Sequence, residues 1–305
     1  MIKLIRVVNR IEDANCITHS GTMHADEVFS TAFLNLYLGD VKVFRTNQVD
    51  ISKVGKDVLV YDIGRGKYDH HQPDALKREN NIPYCSFGLL WKEFGRDFLK
   101  KYGIEFIEKA FLAIDKDFVE GIDADDNGVF PKIDANFKVK TLPGIIKLFN
   151  PSYDSGEEES VQFVRACEVA EKILEEEILY INGKVIADDK ILSMLDELTE
   201  NDKYLVLDKF LPYEETILSN EQGNNLLFVA YPSNRGGYAI KVVPKSLEDK
   251  TARKLFPEEW AGLENEELEK VSGIKNISFC HLGRFIVSCK TLDSVYEILD
   301  KVIDC

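Results

Sequence analysis

The sequence predicts an α/β protein with three parts. These are an N-terminal domain whose parallel sheet is flanked by helices (residues 1–150), a helical connector (151–200) and a smaller C-terminal α/β domain (201–305). Three observations predict it. Over the first 130 residues, short β-branched apolar runs alternate with amphipathic stretches, as βα units feeding a parallel sheet do. A charged segment carrying one apolar stripe follows, and strand-like runs then dominate the last third until a closing amphipathic helix. At 305 residues the chain is also longer than a typical single domain.

Each element rests on a local pattern. Residues 16–18 (Cys-Ile-Thr) read as a short strand, and residues 27–38 carry helical periodicity. Residues 41–46 and 58–61 are compact and β-branched, hence strands. Residues 84–102 and 105–119 read as helices, their apolar faces formed by Leu89, Leu90 and Phe94 and by Ile107, Phe111 and Ile114. Residues 123–131, rich in Asp, Gly and Pro, are expected to be a loop, and residues 151–156 a second break. In the segment 157–198, Val161, Val164, Ala170, Ile173 and Leu174 make the apolar stripe, and Asn182-Gly183 is expected to divide it into two helices. Residues 204–207, 226–231, 238–243 and 285–288 read as strands, and 291–302 as the closing helix. There is no internal repeat and no low-complexity tract.

Composition excludes several classes. Apolar residues make up 45 % and charged residues 30 %, an ordinary globular balance. No run of eighteen apolar residues suggests a membrane span. The first sixteen residues are too short and too interrupted by charge for a secretory signal, so the expected location is intracellular, in the cytoplasm. The net charge of −15 opposes a general coat on nucleic acid, yet a cleft where bound cations neutralise a phosphodiester stays compatible with it. Six cysteines (Cys16, Cys85, Cys167, Cys280, Cys289, Cys305) lack CxxC spacing and read as reduced thiols, with Cys280 singled out because His281 follows it.

The chemistry is concentrated early. Of five histidines, four fall between residues 19 and 71: His19, His24, His70 and His71. The cluster Thr18-His19-Ser20-Gly21-Thr22-Met23-His24-Ala25-Asp26-Glu27 joins a predicted strand to a predicted helix, at the carboxyl edge where open α/β sheets bind ligands. Imidazole and carboxylate together suit Zn²⁺, Mn²⁺ or Fe²⁺. Asp62 ends a predicted strand, and each of its two oxygens can serve one cation. In Asp69-His70-His71, adjacent rings in a turn can aim one nitrogen at a metal and another at substrate. Asp123-Ala124-Asp125-Asp126-Asn127-Gly128 adds a further carboxylate, and no Glu at the required spacing supports an EF-hand. One such element alone is weak, but four sets of compatible ligands at element ends point to a metal site.

In this order the motifs resemble those of the DHH-superfamily phosphoesterases, and more closely the Myg family (melanocyte proliferating gene product), a DHH-like group of exonucleases. Thr18-His19-x-Gly21-x-x-His24-x-Asp26-Glu27, Asp69-His70-His71-Gln72 and Asp126-Asn127-Gly128 carry the match in the first half. Arg235-Gly236-Gly237-Tyr238-Ala239, Pro257-Glu258-Glu259-Trp260-Ala261-Gly262-Leu263 and Phe279-Cys280-His281-x-Gly283-Arg284-Phe285 carry it in the second. The resemblance implies a DHH-like catalytic domain holding two divalent cations, Mn²⁺ first, with Zn²⁺ or Mg²⁺ as alternatives. His19, His24 and Asp62 would hold one. Asp26, Asp62, His70 and either Asp123 or Asp126 would hold the other. His71 would face the substrate phosphate or the attacking water, so His71 and Asp62 become the catalytic residues. His24 stands where the wider superfamily has an aspartate, one residue further from His19, and the extra imidazole favours Zn²⁺ or Mn²⁺ over Mg²⁺.

The implied chemistry is hydrolysis by two cations about 3.5–4 Å apart, bridged by Asp62. In the C-terminal domain Arg235, Gly236, Gly237, His281 and Arg284 are expected to bind substrate, since glycines admit a phosphate to the backbone and an arginine fork pairs its oxygens. Closure between the domains would select a chain end. The resemblance implies a 3′-to-5′ exonuclease on single-stranded RNA or short oligonucleotides, and leaves a homo-oligomer open. The alternatives are a small-phosphate hydrolase, such as a pyrophosphatase or nucleotide phosphatase, and a non-catalytic metal-binding regulatory protein. A modest basic cluster (Lys132, Lys138, Lys140, Lys147) reads equally well as a solvated loop.

Overall fold

A computed structural model describes residues 4–304, so Cys305 lies outside the described residues. The chain divides into two compact units, one up to Gly183 and one from Lys184. The fold class is mixed α/β.

In the first unit, strands β1 (Leu4–Val8), β2 (Cys16–His19), β3 (Asp40–Thr46) and β4 (Leu59–Val60) form a four-stranded sheet of order β1-β3-β2-β4. Every pairing is parallel, with Cys16 opposite both Val43 and Leu59. Strand β1 was not anticipated: its Leu4 is exposed and only Ile5 is buried, so its sequence carries little strand periodicity. Helix α1 (Ala25–Leu38) follows β2 and stops where Gly39, at φ 90°, takes the left-handed conformation that closes a helix C-terminus. It is buried from Ala25 to Leu36, packed on all sides.

Helix α2 (Ser86–Lys101) presents an apolar face to it. Phe33 meets Phe87, Trp91 and Phe98 edge-on, with centroids 5.2–6.2 Å apart. Helix α3 (Ile107–Ile114) passes through a π-helical turn (Asp115–Val119) directly into α4 (Glu120–Asp126). Here the expected loop from residue 123 is corrected. The chain stays helical to Asp126 because Ile122 and Asp123 are its buried face, and an acidic run conceals that face in the sequence. A short α5 (Leu142–Ile146) is capped by the Thr141 hydroxyl, which accepts from Gly144 N.

Helix α6 (Glu159–Asp196) is continuous, correcting the expected division at Asn182-Gly183. One mid-helix glycine costs only about 1 kcal/mol, and buried Ile178, Ile181, Val185 and Ile191 maintain the stripe on either side of it.

The second unit contains β5 (Tyr204–Val206), α7 (Glu214–Leu218), β6 (Phe228–Pro232), β7 (Tyr238–Val242), α8 (Asn265–Ser272), β8 (Ile277–Cys280), β9 (Ile286–Cys289) and α9 (Leu292–Asp304). Its sheet runs β5-β6-β7-β9-β8, with only β5 and β6 parallel. Phe228, Ile240, Phe256, Trp260, Val287 and Ile298 anchor its core. The four expected strands are present. Strand β8 and helix α8 were missed because both are short and flanked by charge. Among the described residues, no helix is long and apolar enough to cross a membrane.

Candidate metal centre

Strands β2 and β4 are neighbours, and their carboxyl ends bring His19 and Asp62 together. Asp62 Oδ2 lies 3.1 Å from His19 Nε2, and Oδ1 lies 3.3 Å from His70 Nε2. Asp62 reaches both by adopting φ 55°, a left-handed conformation uncommon outside glycine and concentrated at functional sites.

The loop between β2 and α1 is held from several directions. Both Glu27 oxygens accept from His24 N at 3.0 Å. Asn150 accepts from Met23 N at 2.7 Å and donates back to Met23 O at 3.0 Å. The buried Arg45 donates to the carbonyls of His19 and Gly21 while pairing with Glu159 at 2.6 Å. His19 Nδ1 lies 3.1 Å from the Ser20 carbonyl, which holds that nitrogen as a donor and leaves Nε2 as the ligating lone pair.

The Asp-His-His segment is a turn closed on itself. Asp69 accepts from Arg65 N at 2.5 Å and from His71 N and Nδ1 at 3.1 and 2.8 Å. Gln72 ties the turn to the Gly66 and Asp69 carbonyls. The result separates the two rings: His70 is buried, whereas the His71 side chain is 62 % exposed.

Two carboxylates grip the N-terminus of α2, whose free amides favour negative charge. Asp26 accepts from Ser86 N at 3.1 Å and Phe87 N at 2.6 Å. Asp123 accepts from Cys85 N at 3.1 Å and Gly88 N at 3.0 Å. The Cys85 thiol sits between them, 2.9 Å from Asp26 and 2.6 Å from Asp123. Asp123 also takes Arg78 Nη1 at 2.5 Å, and Arg78 pairs further with Asp115 at 2.8 Å.

Three groups of side chains could each hold a cation, every set of ligand atoms lying within 4.8 Å: His19 with His24 and Glu27, Asp62 with His70 and His71, and Asp26 with His70 and Asp126. Asp126 Oδ2 is 3.0 Å from His70 Nε2, Asp26 Oδ2 is 3.8 Å from it, and Asp126 Oδ1 is 4.0 Å from His24 Nδ1. Asp62 Oδ1 and His70 Nε2 are buried and make no hydrogen bond, close as they are. Atoms that crowd together without a hydrogen bond between them are compatible with ligands around a common point. The imidazole and carboxylate donors fit Mn²⁺ or Zn²⁺ well.

Electrostatics agree. Burial opposes charge on His19, but the closeness of Asp62 and Glu27 outweighs it and pushes the ring up to about 11. Burial likewise opposes charge on His70, and Asp126, Asp62 and Asp26 raise it to about 11. Asp62, despite burial, is lowered to about 2 by His19 and His70. Asp26 is held well above the usual carboxylate range by burial and by the charges of Asp62 and Asp126. The pocket thus concentrates negative charge and retains cationic protons that a metal ion would replace.

The structure therefore gathers His19, His24, Asp26, Asp62, His70, His71 and Asp126 in one place. Asp123 is turned towards Arg78, Cys85 and Gly88, and burial moves it up to about 6 against the pull of Arg78. Sequence reasoning gave no role in the site to Glu27, Arg78 or Cys85. Glu27 carried a usable signal, an acid three residues beyond a helix N-cap, whereas nothing local marks Arg78.

In the second unit Arg235, Gly236, Gly237 and His281 line a cavity of about 1200 Å³, with Phe210, Tyr231 and Lys290 on its wall. Gly237, at φ 64°, passes so close to the Cys289 carbonyl that a Cβ would collide with it. His281 Nδ1 accepts from Gly283 N at 2.9 Å, leaving Nε2–H free to donate. Arg284 is not part of this wall, and its Nη1 donates to the Phe256 carbonyl at 3.3 Å. Cys280, singled out in the sequence because His281 follows it, is buried, and that burial pushes its thiol up to about 11.

The chain is similar to known proteins over nearly its whole length. A MYG1 protein of Saccharomyces cerevisiae is 28 % identical over 97 % of both chains, and a MYG1 protein of Dictyostelium discoideum 25 % identical over 96 % of this chain and 98 % of its own. The MYG1 exonuclease of Homo sapiens is 28 % identical over 92 % of this chain and 83 % of its own. No solved structure matches. The model of the MYG1_exonuc family, described as Uncharacterised protein family (UPF0160), matches residues 15–303, a span that takes in the metal centre and the glycine-lined cavity alike, and the chain belongs to that family.

Proposed function

We propose that the protein is a metal-dependent exonuclease that hydrolyses single-stranded RNA or short oligonucleotides from the 3′ end. The observation that carries this reading is the pair of buried, unbonded ligand atoms, Asp62 Oδ1 and His70 Nε2, within a cluster of carboxylates and imidazoles at the sheet's carboxyl edge. The relatives from Homo sapiens and Bos taurus are named MYG1 exonuclease, which supports a nucleic-acid substrate. Polarity and the preference for RNA come from the family resemblance.

His19, His24 and Asp62 would hold one cation, and Asp26, Asp62, His70 and Asp126 a second, with Glu27 within reach of the first. Two divalent cations bound there, Mn²⁺ first by the donor set, would supply the Lewis-acid charge that acidifies water and neutralises a phosphodiester. The protein's own contributions are geometric. Asp62, with Oδ2 beside His19 and Oδ1 beside His70, would be shared between the two sites. Asp69 holds His71 Nδ1–H, so His71 offers Nε2 outward to a proton or a phosphate oxygen. Asp123, Cys85 and the α2 amides position Asp26 rather than contact substrate. In the second unit, Arg235 and the Gly236-Gly237 backbone would take a phosphate, and His281 Nε2–H would donate to substrate.

The test is hydrolysis of 3′-labelled and 5′-labelled single-stranded RNA with Mn²⁺, Mg²⁺ or Zn²⁺, beside Asp62→Ala, with pyrophosphate and a dinucleotide in parallel. Stepwise loss from the 3′ end, absent in the variant, is the expected result. Turnover of pyrophosphate alone would instead make it a small-phosphate hydrolase.

A further inference from the structure

Resting on that nuclease reading, we propose that residues 128–140 form a track on which single-stranded nucleic acid lies as it enters the metal centre, with bases stacked on Phe130 and Phe137 and phosphates paired to Lys132, Lys138 and Lys140. Every residue in this stretch is exposed. Phe130 is 67 % and Phe137 71 % exposed, and Val129, Ile133 and Val139 are exposed beside them. A single exposed apolar side chain is commonplace, but five within thirteen consecutive exposed residues make an apolar strip facing water.

Charge selects the occupant. The chain as a whole carries 53 acidic and 38 basic side chains, whereas this stretch has three lysines against Asp134 alone. Aromatic rings interleaved with lysines are the surface that binds single strands without regard to sequence. Every base offers a face for stacking and every nucleotide a phosphate. A duplex hides its base faces and gains nothing from the rings.

Position links the strip to the chemistry. It begins directly after Asn127, the C-cap of the helix that carries Asp126, and Val129 N is tied back to Ala124 O at 2.8 Å. Beyond α5 the chain returns to Asn150, which is bonded both ways to Met23 beside His24. The strip is therefore fastened at its start to the helix bearing Asp126, and the chain that leaves it is anchored ten residues on, at Asn150, beside His24. A strand held along it is delivered to the cluster, and its three lysines supply local positive charge in a chain of net charge −15.

The experiment compares kcat/KM with Mn²⁺ for an unstructured RNA of roughly 20 nucleotides and for a dinucleotide, in the parent, Phe130→Ala/Phe137→Ala and Lys138→Glu/Lys140→Glu. Anisotropy of the labelled RNA with metal-free protein reads binding without turnover. The oligonucleotide-to-dinucleotide ratio is expected to fall about tenfold in each double variant, with weaker binding and, for the lysine pair, a flatter salt dependence. An unchanged ratio overturns the track, as does a variant that dissociates a parent dimer in light scattering while its RNA binding persists, which would make the strip an interface between copies. A parent that neither binds nor cleaves RNA overturns the nuclease reading itself, and that result is read before any variant is made.

Discussion

Arg78 Nη1 donates to Asp123 Oδ2 across 2.5 Å, and both side chains are buried. The arginine also pairs with Asp115 and stacks 4.0 Å from the centre of the Tyr84 ring. This pair fixes the end of α4 against the N-terminus of α2, and so fixes Asp126, three residues beyond Asp123 on the same helix. Removing one member of a buried pair leaves the other charge uncompensated, a loss of about 3 kcal/mol. Arg78→Ala is therefore expected to unfold at clearly lower urea concentration than the parent. Metal analysis should separate the two aspartates: Asp126→Asn loses bound metal outright, whereas Asp123→Asn loses stability and only part of its metal. The reverse pattern would make Asp123 the ligand.

Gly88 gives a second measure of the same contact. A Cβ there would overlap the Asp123 carboxylate, which already receives the Gly88 amide at 3.0 Å. The carboxylate is pinned by Arg78 and Cys85 and cannot retreat cheaply. Gly88→Ala, ordinarily favourable in a helix, is expected to destabilise by about 1–3 kcal/mol as an overpacked site. A thermal melt unchanged from the parent would show that Asp123 is free to move.

Asp62 and His71 should separate metal binding from turnover. Asp62 lies against both His19 and His70, so Asp62→Ala is expected to abolish bound metal and activity together. The His71 ring is mostly exposed and anchored through Asp69. His71→Ala is therefore expected to retain most of the metal while losing activity by about 10²–10⁴-fold, the range for one general acid or base. Parallel loss of metal and turnover in His71→Ala, measured by plasma mass spectrometry, would assign the ring to the metal instead.

Why some of this was legible in sequence and some was not has a physical answer. His19, Asp62 and His70 stand out because polar residues that end strands or open turns break a local hydrophobic pattern, and because the chain has only five histidines. Fold class follows from the same alternation of short runs. The buried partners leave no such trace. Arg78 looks like any surface arginine between Lys77 and Glu79, and only folding brings it to Asp115 and Asp123. Asp123 sits in a run of acids whose buried face is invisible until α2 packs on it. Gly183 misled because glycine weakens a helix locally, while the continuous apolar stripe of α6 decides its length.

The histidine–carboxylate cluster makes opposite predictions for stability with and without metal. His19 and His70 are raised to about 11 from the ordinary 6.5, so the stability they contribute is complete below about pH 6.5 and is lost as pH climbs towards 11. Asp62 is lowered to about 2 from 3.8, so its share is complete above about pH 4 and is lost as pH falls towards 2. Metal-free protein is thus expected to be held best by this cluster between about pH 4 and 6.5, and its melting temperature should fall from pH 6 to 9. A cation takes the place of the two imidazolium protons, so each binding event near pH 7 should release protons, and affinity should rise with pH. Calorimetric titration of Mn²⁺ in buffers of different ionisation enthalpy measures that release directly. With saturating Mn²⁺ the fall in melting temperature between pH 6 and 9 should vanish or reverse. Proton release near zero, or the same fall with and without the ion, would mean that Mn²⁺ does not displace these protons, and hence that the cluster is a structural ion-pair network.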